Sequence, residues 1–345
     1  MVNTLISDVE RLNQMWGDEE SRIIFQANIM YRLFGDVSAY EKSNQYIFQR
    51  RQAKNILDLL KKNKGTLALF GASVAGEVTL DLLNALGIQA SYFVDNDSKK
   101  WGNQLRGLHI RDPKCLQDNT QFEYVLVTPS SSRFCEEIIE QLLDMGVSQN
   151  KILCPYKVFG KMYCEQEILD ITENDVLVDG GCYDGTSSYD IDSIPVNGIK
   201  KIYAFEPDEN HFERCRKYFK DNQKVELIKK GLYDANGVCS FMSQDGEGSL
   251  ICDGGTEKID ICKIDTLASD ATFIKMDIEG AELKALEGAK ETIIKNRPKL
   301  AISIYHNPED ILQIPLWLKE IVPEYRLYLR QYTMSYLECV LYATI

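Results

Sequence analysis

An acid, a run of glycines and a second acid pose the first chemical question in this chain. Val176-Leu-Val-Asp179-Gly-Gly181-Cys-Tyr-Asp-Gly185-Thr reads as an apolar strand running into a glycine-rich turn that opens a helix. About 20 residues further on, Ile202-Tyr-Ala-Phe-Glu206-Pro207 reads as a second strand ending in one carboxylate. Glycine permits positive φ and lets a ligand lie against the backbone. A carboxylate at the end of the neighbouring strand can accept hydrogen bonds from both hydroxyls of a ribose. The pair is suited to a nucleoside cofactor, and NAD, FAD and S-adenosylmethionine all offer such a ribose. The spacing Asp179-x-Gly181-x-x-x-Gly185 departs from the G-x-G-x-x-G of dinucleotide sites. Asp179 and Asp184 also flank the turn, where a pyrophosphate favours a helix start free of acids. A ligand-free strand–turn–helix unit is the plainer alternative.

A second constellation is Phe273-Ile-Lys275-Met-Asp277-Ile-Glu279-Gly280, followed by the helical pattern 281–294. Alternate residues of a strand share a face, so Lys275, Asp277 and Glu279 are expected on one side. Buried charge is unfavourable unless paired or used. The choice lies between an ion pair at the strand end and acid–base groups in a pocket. Leu300-Ala-Ile-Ser-Ile-Tyr305-His306 places His306 after the next strand, where it could converge with Asp277 and Glu279. His109 and His211 lack comparable company in the sequence. Asp277, Glu279 and His306 could also ligate a divalent ion, but their spacing is not diagnostic and no metal is expected.

Strands alternating with helices must carry these groups. Residues 1–63 show apolar positions at helical spacing, such as Ile24, Ile29, Leu33, Ile56, Leu59 and Leu60. They are expected to form helices that cap or dimerise. Residues 64–158 read as a smaller Rossmann-like α/β domain. Strands are expected at Thr66–Phe70, Ala90–Val94 and Tyr124–Thr128, with helices over Gly76–Ala85 and Phe134–Met145. Its loop Gly71-Ala-Ser73-Val-Ala-Gly76, with Asp95 after the next strand, imitates a dinucleotide site in which Ser73 replaces the second glycine. That loop either binds a nucleotide or keeps its form for packing. Residues 159–345 alternate likewise and end in two β-rich runs, Tyr325–Arg330 and Cys339–Ala343, which imply a terminal antiparallel hairpin.

With 345 residues, 44% hydrophobic and 26% charged, the composition is that of a globular α/β protein. A net charge of -13 and short basic runs argue against a nucleic-acid partner. Ten cysteines without C-x-x-C pairs suggest neither a zinc ribbon nor a disulfide framework, which points to a reducing cytoplasm. The start lacks the pattern of a signal peptide, and no apolar run has the length of a membrane span.

Several motifs agree in order and spacing with one family. Asp179-x-Gly181-x-x-x-Gly185, Phe205-Glu206-Pro207, Gly231-Leu-Tyr-Asp234, Lys263-Ile-Asp265-Thr-Leu, Lys275-Met-Asp277-Ile-Glu279-Gly280-Ala-Glu282 and Tyr305-His306 resemble the FkbM family of S-adenosylmethionine-dependent methyltransferases. The likeness covers about the last 180 residues, and it is specific because several motifs agree in sequence order. It departs from the commoner loop at Cys182-Tyr183, where the family more often has Ala-Asn. The resemblance implies a class I methyltransferase doubly wound sheet with a terminal hairpin. It also implies O-methylation of a hydroxyl on a sugar, glycan precursor or secondary metabolite. The middle region resembles Rossmann-like modules joined to such enzymes in surface-glycan biosynthesis.

Methyl transfer to an alcohol needs in-line alignment, exclusion of water and removal of a proton. On this reading Gly181 and Gly185 admit the methionine part of the cofactor, and Asp179 holds its amino group. Glu206 holds the ribose and Asp234 the adenine amino group. Asp277 or His306 takes the proton, while Glu279 or Lys275 orients a small-molecule or carbohydrate acceptor. Two rivals stand beside it. One is a nicotinamide-dependent oxidoreductase using the Gly71 loop, which lacks a Tyr-x-x-x-Lys pair; the other is a noncatalytic scaffold in a glycan pathway.

Overall fold

The computed structural model describes residues 2–50, 56–129, 132–155, 161–243, 250–251 and 254–345. Its contacts divide the chain into two compact units. One contains Met1–Arg22, Met162–Arg330 and Cys339–Ile345; the other contains Ile23–Lys161 and Gln331–Glu338. The division cuts through the helical segment read as 1–63, and the boundary read at 158/159 lies outside the described residues.

In the second unit, six strands run β1 (Leu67–Phe70), β2 (Tyr92–Val94), β3 (Gln104–Leu105), β4 (Leu108–Arg111), β5 (Tyr124–Val127) and β6 (Ile152–Leu153). Their order in the sheet is β3-β4-β2-β1-β5-β6. All pairings are parallel except that of β3 with β4. The β1 residues are buried on both faces, as the unbroken Leu-Ala-Leu-Phe run suggests for a sheet covered by helices. The helix Val74–Ala85 follows the Gly71 loop, and here two glycines are required by packing. Gly71 has φ +116°, and a Cβ at Gly76 would lie 2.1 Å from the Gly71 carbonyl oxygen. Asp95, read as a ribose acid, accepts the Ala72 N–H at 2.8 Å and pairs with Lys100 at 3.0 Å. It therefore braces its own loop.

The first unit is built on seven strands: β7 (Val176–Gly180), β8 (Lys201–Phe205), β9 (Val225–Ile228), β14 (Phe273–Met276), β15 (Lys299–Ser303), β16 (Arg326–Gln331) and β17 (Cys339–Thr344). Between β9 and β14 come β10 (Gly231–Leu232), β11 (Gly237–Met242), β12 (Leu250–Ile251) and β13 (Glu257–Cys262), which form a separate sheet in the order β10-β13-β11-β12. That sheet has no counterpart in the sequence reading: its strands are short or half exposed, with weak alternation. The main sheet runs β16-β17-β15-β14-β7-β8-β9. β17 is antiparallel to β15, whereas β7, β8, β9, β14 and β15 run parallel. This is the class I methyltransferase order. The chain leaves β7 for β8 on one side and returns to β14 on the other. That reversal opens a crevice at the carboxyl ends of β7 and β14, the usual place for a ligand in such sheets.

The N-terminal segment fastens onto the far edge of this same sheet. After the helix Val2–Met15, the Gly17 N–H donates to the Leu327 carbonyl at 2.8 Å, and Trp16 forms a parallel bridge with Leu327. Ser21 Oγ accepts the Leu329 N–H at 2.9 Å. Arg330, whose side chain is 2% exposed, pairs with Asp18 at 2.7 Å and lies 3.8 Å from Glu20. Among the described residues, no helix is long and apolar enough to cross a membrane.

Candidate active site

The glycine turn is held in place by the strands around it. The N–H groups of Gly181 and Cys182 both reach the Phe205 carbonyl, at 3.0 and 3.2 Å, and the Asp277 N–H reaches the Gly180 carbonyl at 3.1 Å. Gly181 has φ +71°, and a Cβ there would stand 2.0 Å from the Asp277 carbonyl oxygen. Gly185, at φ +87°, opens the helix Thr186–Asp192, and a Cβ there would strike the rings of Tyr218 and Phe219 at 2.8 and 2.7 Å. We expect Gly181→Ala to destabilise this unit by about 2–5 kcal/mol, through positive-φ strain plus a backbone clash. Denaturant unfolding of the variant beside the wild type measures this, and an unchanged midpoint would refute the packing argument.

Asp179 and Lys275 lie under the turn as a buried pair. Lys275 Nζ stands 2.8 Å from Asp179 Oδ1, with side chains 2% and 0% exposed. Lys275 also donates to the carbonyls of Gly180 and Gly181, at 3.2 and 2.9 Å. The hydroxyls of Ser187 and Ser188 donate to Asp179 Oδ2 at 2.8 and 2.6 Å. Burial pulls the Lys275 ammonium down, but the charges of Asp179 and Asp277 outweigh it and hold its pKa above the ordinary value. The structure thus directs Lys275 at Asp179 and the underside of the glycine turn.

Glu206, at the carboxyl end of β8, is also buried. Its Oε2 accepts the Tyr183 N–H at 3.0 Å and its Oε1 the Asp208 N–H at 2.9 Å. Each oxygen keeps a second lone pair for a ligand hydroxyl. His211, on the helix Glu209–Tyr218, has its Nδ1 4.0 Å from Glu206 and 3.8 Å from Asp208. Its ring meets Tyr183 edge to face at 4.5 Å. The lack of company read for His211 is thus corrected: the helix start folds it back onto the strand end. Burial pushes the Glu206 carboxyl up to about 7, against the pull of the two backbone N–H groups.

The sign follows from that shift. A raised carboxyl pKa favours the folded state at low pH and loses that contribution as pH rises through about 7. The ribose hydroxyls of a nucleoside ligand, as donors, prefer the carboxylate, so affinity for such a ligand at Glu206 should change the opposite way. We expect S-adenosylhomocysteine to bind about tenfold more tightly at pH 8 than at pH 6. The comparison is calorimetric, and a wild-type profile as flat as that of Glu206→Gln would exclude Glu206 as the titrating group.

The third cluster sits beyond β14 and β15. β14 ends at Met276, so Asp277 and Glu279 lie in the following turn, where Glu279 has φ 55° and Gly280 φ 95°. Glu279 reaches the cluster through that turn, not through the strand alternation expected from the sequence. Asp277 Oδ2 accepts the Tyr163 hydroxyl at 2.9 Å, and its Oδ1 lies 3.4 Å from the Tyr305 hydroxyl. His306 Nε2 stands 3.5 Å from Asp277 Oδ1 and 3.4 Å from Glu279 Oε2. On its other side, His306 Nδ1 meets Glu282 Oε1 at 2.9 Å, and that same oxygen accepts the Ile278 N–H. Burial would lower the imidazole, but Glu282, Asp277 and Glu279 together push it up to about 10. Burial likewise opposes the Asp277 charge, yet His306, Lys275 and the Tyr163 and Ser303 hydroxyls hold Asp277 below its ordinary value.

The structure brings Asp277, Glu279 and His306 together and joins Asp179 to Lys275 beneath Gly181. Asp234 follows β10, outside the main sheet, and pairs with Lys284 at 3.1 Å. Asp265 accepts the N–H groups of Glu291 and Thr292 and so begins the helix Lys290–Asn296. Two participants went unassigned in the sequence. Glu282, fully buried, fixes the ring of His306, and its place three residues after Glu279 in the same motif was the available signal. Tyr163 arrives from more than 100 positions upstream and carried no local signal.

Residues 179–333 match the model of the methyltransferase FkbM domain, and residues 63–153 match the model described as C2185-like, N-terminal. The C-terminal part of the chain thus matches a methyltransferase FkbM domain. It is similar to the 2-O-methyltransferase NoeI of Sinorhizobium fredii (strain NBRC 101917 / NGR234), at 24% identity over 148 residues, covering 35% of this chain and 60% of that protein. The chain thus spans about 60% of the length of this curated relative. Among solved structures, methyltransferase FkbM from Methylobacillus flagellatus KT matches at 18% identity and a TM-score of 0.49, over 89% of this chain and 100% of that one. SMU.1697c from Streptococcus mutans, a putative methyltransferase in complex with SAH, matches at 14% identity and a TM-score of 0.33, over 52% and 93%.

Proposed function

We propose that the protein is an S-adenosylmethionine-dependent O-methyltransferase acting on a hydroxyl of a sugar, glycan precursor or secondary metabolite. The carrying observation is the acid–imidazole cluster of Asp277, Glu279, His306 and Glu282 at the ends of the strands that continue the sheet from the glycine turn and Glu206. NoeI, named a 2-O-methyltransferase, supports an oxygen acceptor. Both glycines of the turn are fixed by packing, since a Cβ at Gly181 would strike the Asp277 carbonyl and one at Gly185 the Tyr218 and Phe219 rings.

When bound, S-adenosylmethionine supplies an activated methyl group. Glu206 accepts hydrogen bonds from the ribose hydroxyls. Gly181 and Gly185 allow the backbone to come close, while the Asp179–Lys275 pair and the two serines keep the turn in shape. An alcohol must lose its proton as it attacks, and Asp277 Oδ1, 24% exposed with its side chain, receives it. His306 and Tyr163 hold that carboxylate in position, and Glu279 faces the acceptor. Free buried thiols, among them Cys182 and Cys215 at 3.4 Å, favour a reducing cytoplasm as the place of work.

An oxidoreductase working through the Gly71 loop is less well supported, because Asp95 is engaged by Ala72 and Lys100. Titration with S-adenosylhomocysteine and NAD decides between them. Binding of the first alone, followed by transfer of an isotopically labelled methyl group to monosaccharides, nucleotide sugars or glycan oligomers, is expected. Binding of NAD alone would sink the proposal.

A further inference from the structure

We infer that Asp277, Glu282 and His306, with Glu279 beside them, form a binding site for one divalent cation of the Mn2+ to Zn2+ range. Each of Asp277, Glu282 and His306 offers one donor atom, and these atoms all lie within 4.8 Å of one another. Donors sharing a first-row ion at about 2.0–2.2 Å stand roughly 3–4 Å apart, so a small closing movement completes the set. His306 Nε2 already stands at such spacings, 3.5 Å from Asp277 and 3.4 Å from Glu279.

Two buried atoms point the same way. His306 Nε2 and Glu282 Oε2 are shielded from solvent and lack a hydrogen-bond partner, in side chains 10% and 0% exposed. Leaving such groups unsatisfied is unfavourable, and an ion bound at Nε2 would satisfy the ring. Charge adds a third argument. Three carboxylates face a single imidazole, and the neighbouring ammonium of Lys275 is engaged by Asp179 and the glycine turn. Even a protonated ring leaves the cluster negative. Imidazole with carboxylates suits Mn2+, Fe2+, Co2+ or Zn2+ better than Mg2+.

The use of the ion rests on the function proposed above. A hydroxyl bound to it would lose its proton more readily, which is the step an alcohol acceptor requires. Ion binding itself stands independently of that reading.

The test uses the full chain freed of metal with a chelator. Mn2+ binding is followed by electron paramagnetic resonance and calorimetry, and S-adenosylhomocysteine is titrated into the same samples. One saturable Mn2+ per chain is expected, displaced by Zn2+ and weakened at least about tenfold in Asp277→Asn, His306→Asn and Glu279→Gln. Binding of S-adenosylhomocysteine should survive in each variant, which also reports that the variant is folded. Glu279, in the partly exposed turn, is the position least able to disturb folding. Absence of saturable Mn2+ binding in the wild type, or equal binding in Glu279→Gln and the other folded variants, would overturn the inference. Loss of S-adenosylhomocysteine binding with Mn2+ binding intact would instead overturn the cofactor assignment and leave the ion site standing.

Discussion

Glu206→Ala is expected to weaken S-adenosylhomocysteine binding by at least about a hundredfold. Two hydrogen bonds from ribose to a buried carboxylate, each worth about 1.5–3 kcal/mol, support that size. The same carboxylate receives the N–H groups of Tyr183 and Asp208, so its removal also leaves two backbone donors without their acceptor. Tyr183 sits at φ 51°, a strained position for a side chain, and part of what holds it there is Glu206. Glu206→Gln separates the two effects: its amide oxygen can keep one backbone bond while the charge is gone, and an intermediate affinity is expected. Calorimetry on the three proteins makes the comparison. Equal affinity in wild type and Glu206→Ala would remove Glu206 from the cofactor site.

Asp277→Asn is expected to divide the two halves of the reaction. The asparagine oxygen can still accept a hydrogen bond from Tyr163, so the turn should keep its shape. What disappears is the group proposed to take the acceptor's proton, and the rate of methyl transfer should fall by about 10²–10⁴. Affinity for S-adenosylhomocysteine should stay within about threefold, because on the proposed assignment Glu206, not Asp277, holds the ribose. Single-turnover transfer measured beside calorimetric binding gives both numbers. Comparable losses of binding and rate would show that Asp277 shapes the cofactor turn instead of serving the acceptor.

The legible parts of this protein were those whose chemistry is local. A buried apolar run ending in a glycine turn, and a strand ending in Glu206, are read from consecutive residues, and the α/β order of the main sheet follows from their repetition. The convergence of Asp277, Glu279 and His306 was also readable, since strand ends of a parallel sheet meet at one edge. The local path was not: Glu279 turns into the cluster because β14 stops at Met276 and the backbone adopts positive φ. Lys275 illustrates the limit of strand alternation. Its face could be read, but the identity of its partner across the sheet, Asp179, depends on the register of β14 against β7. Glu282 and Tyr163 needed tertiary structure, as did the side sheet, whose two-residue strands are defined by pairing and not by pattern.

The clasp of the N-terminal segment on β16 bears on how this chain can be made. Ser21 and Leu329 are 308 positions apart. On a ribosome adding about 5–20 residues per second, the earlier partner waits roughly 15–60 seconds for the later one. Through that interval Asp18 and Glu20 have no Arg330 to meet, and the helix Val2–Met15 lacks the helix Asp310–Ile321 against which it packs. The seven-stranded sheet can therefore close only after Cys339–Thr344 has been made, so that holding factors acting on the nascent chain, more than the speed of any local step, should govern the yield of folded protein.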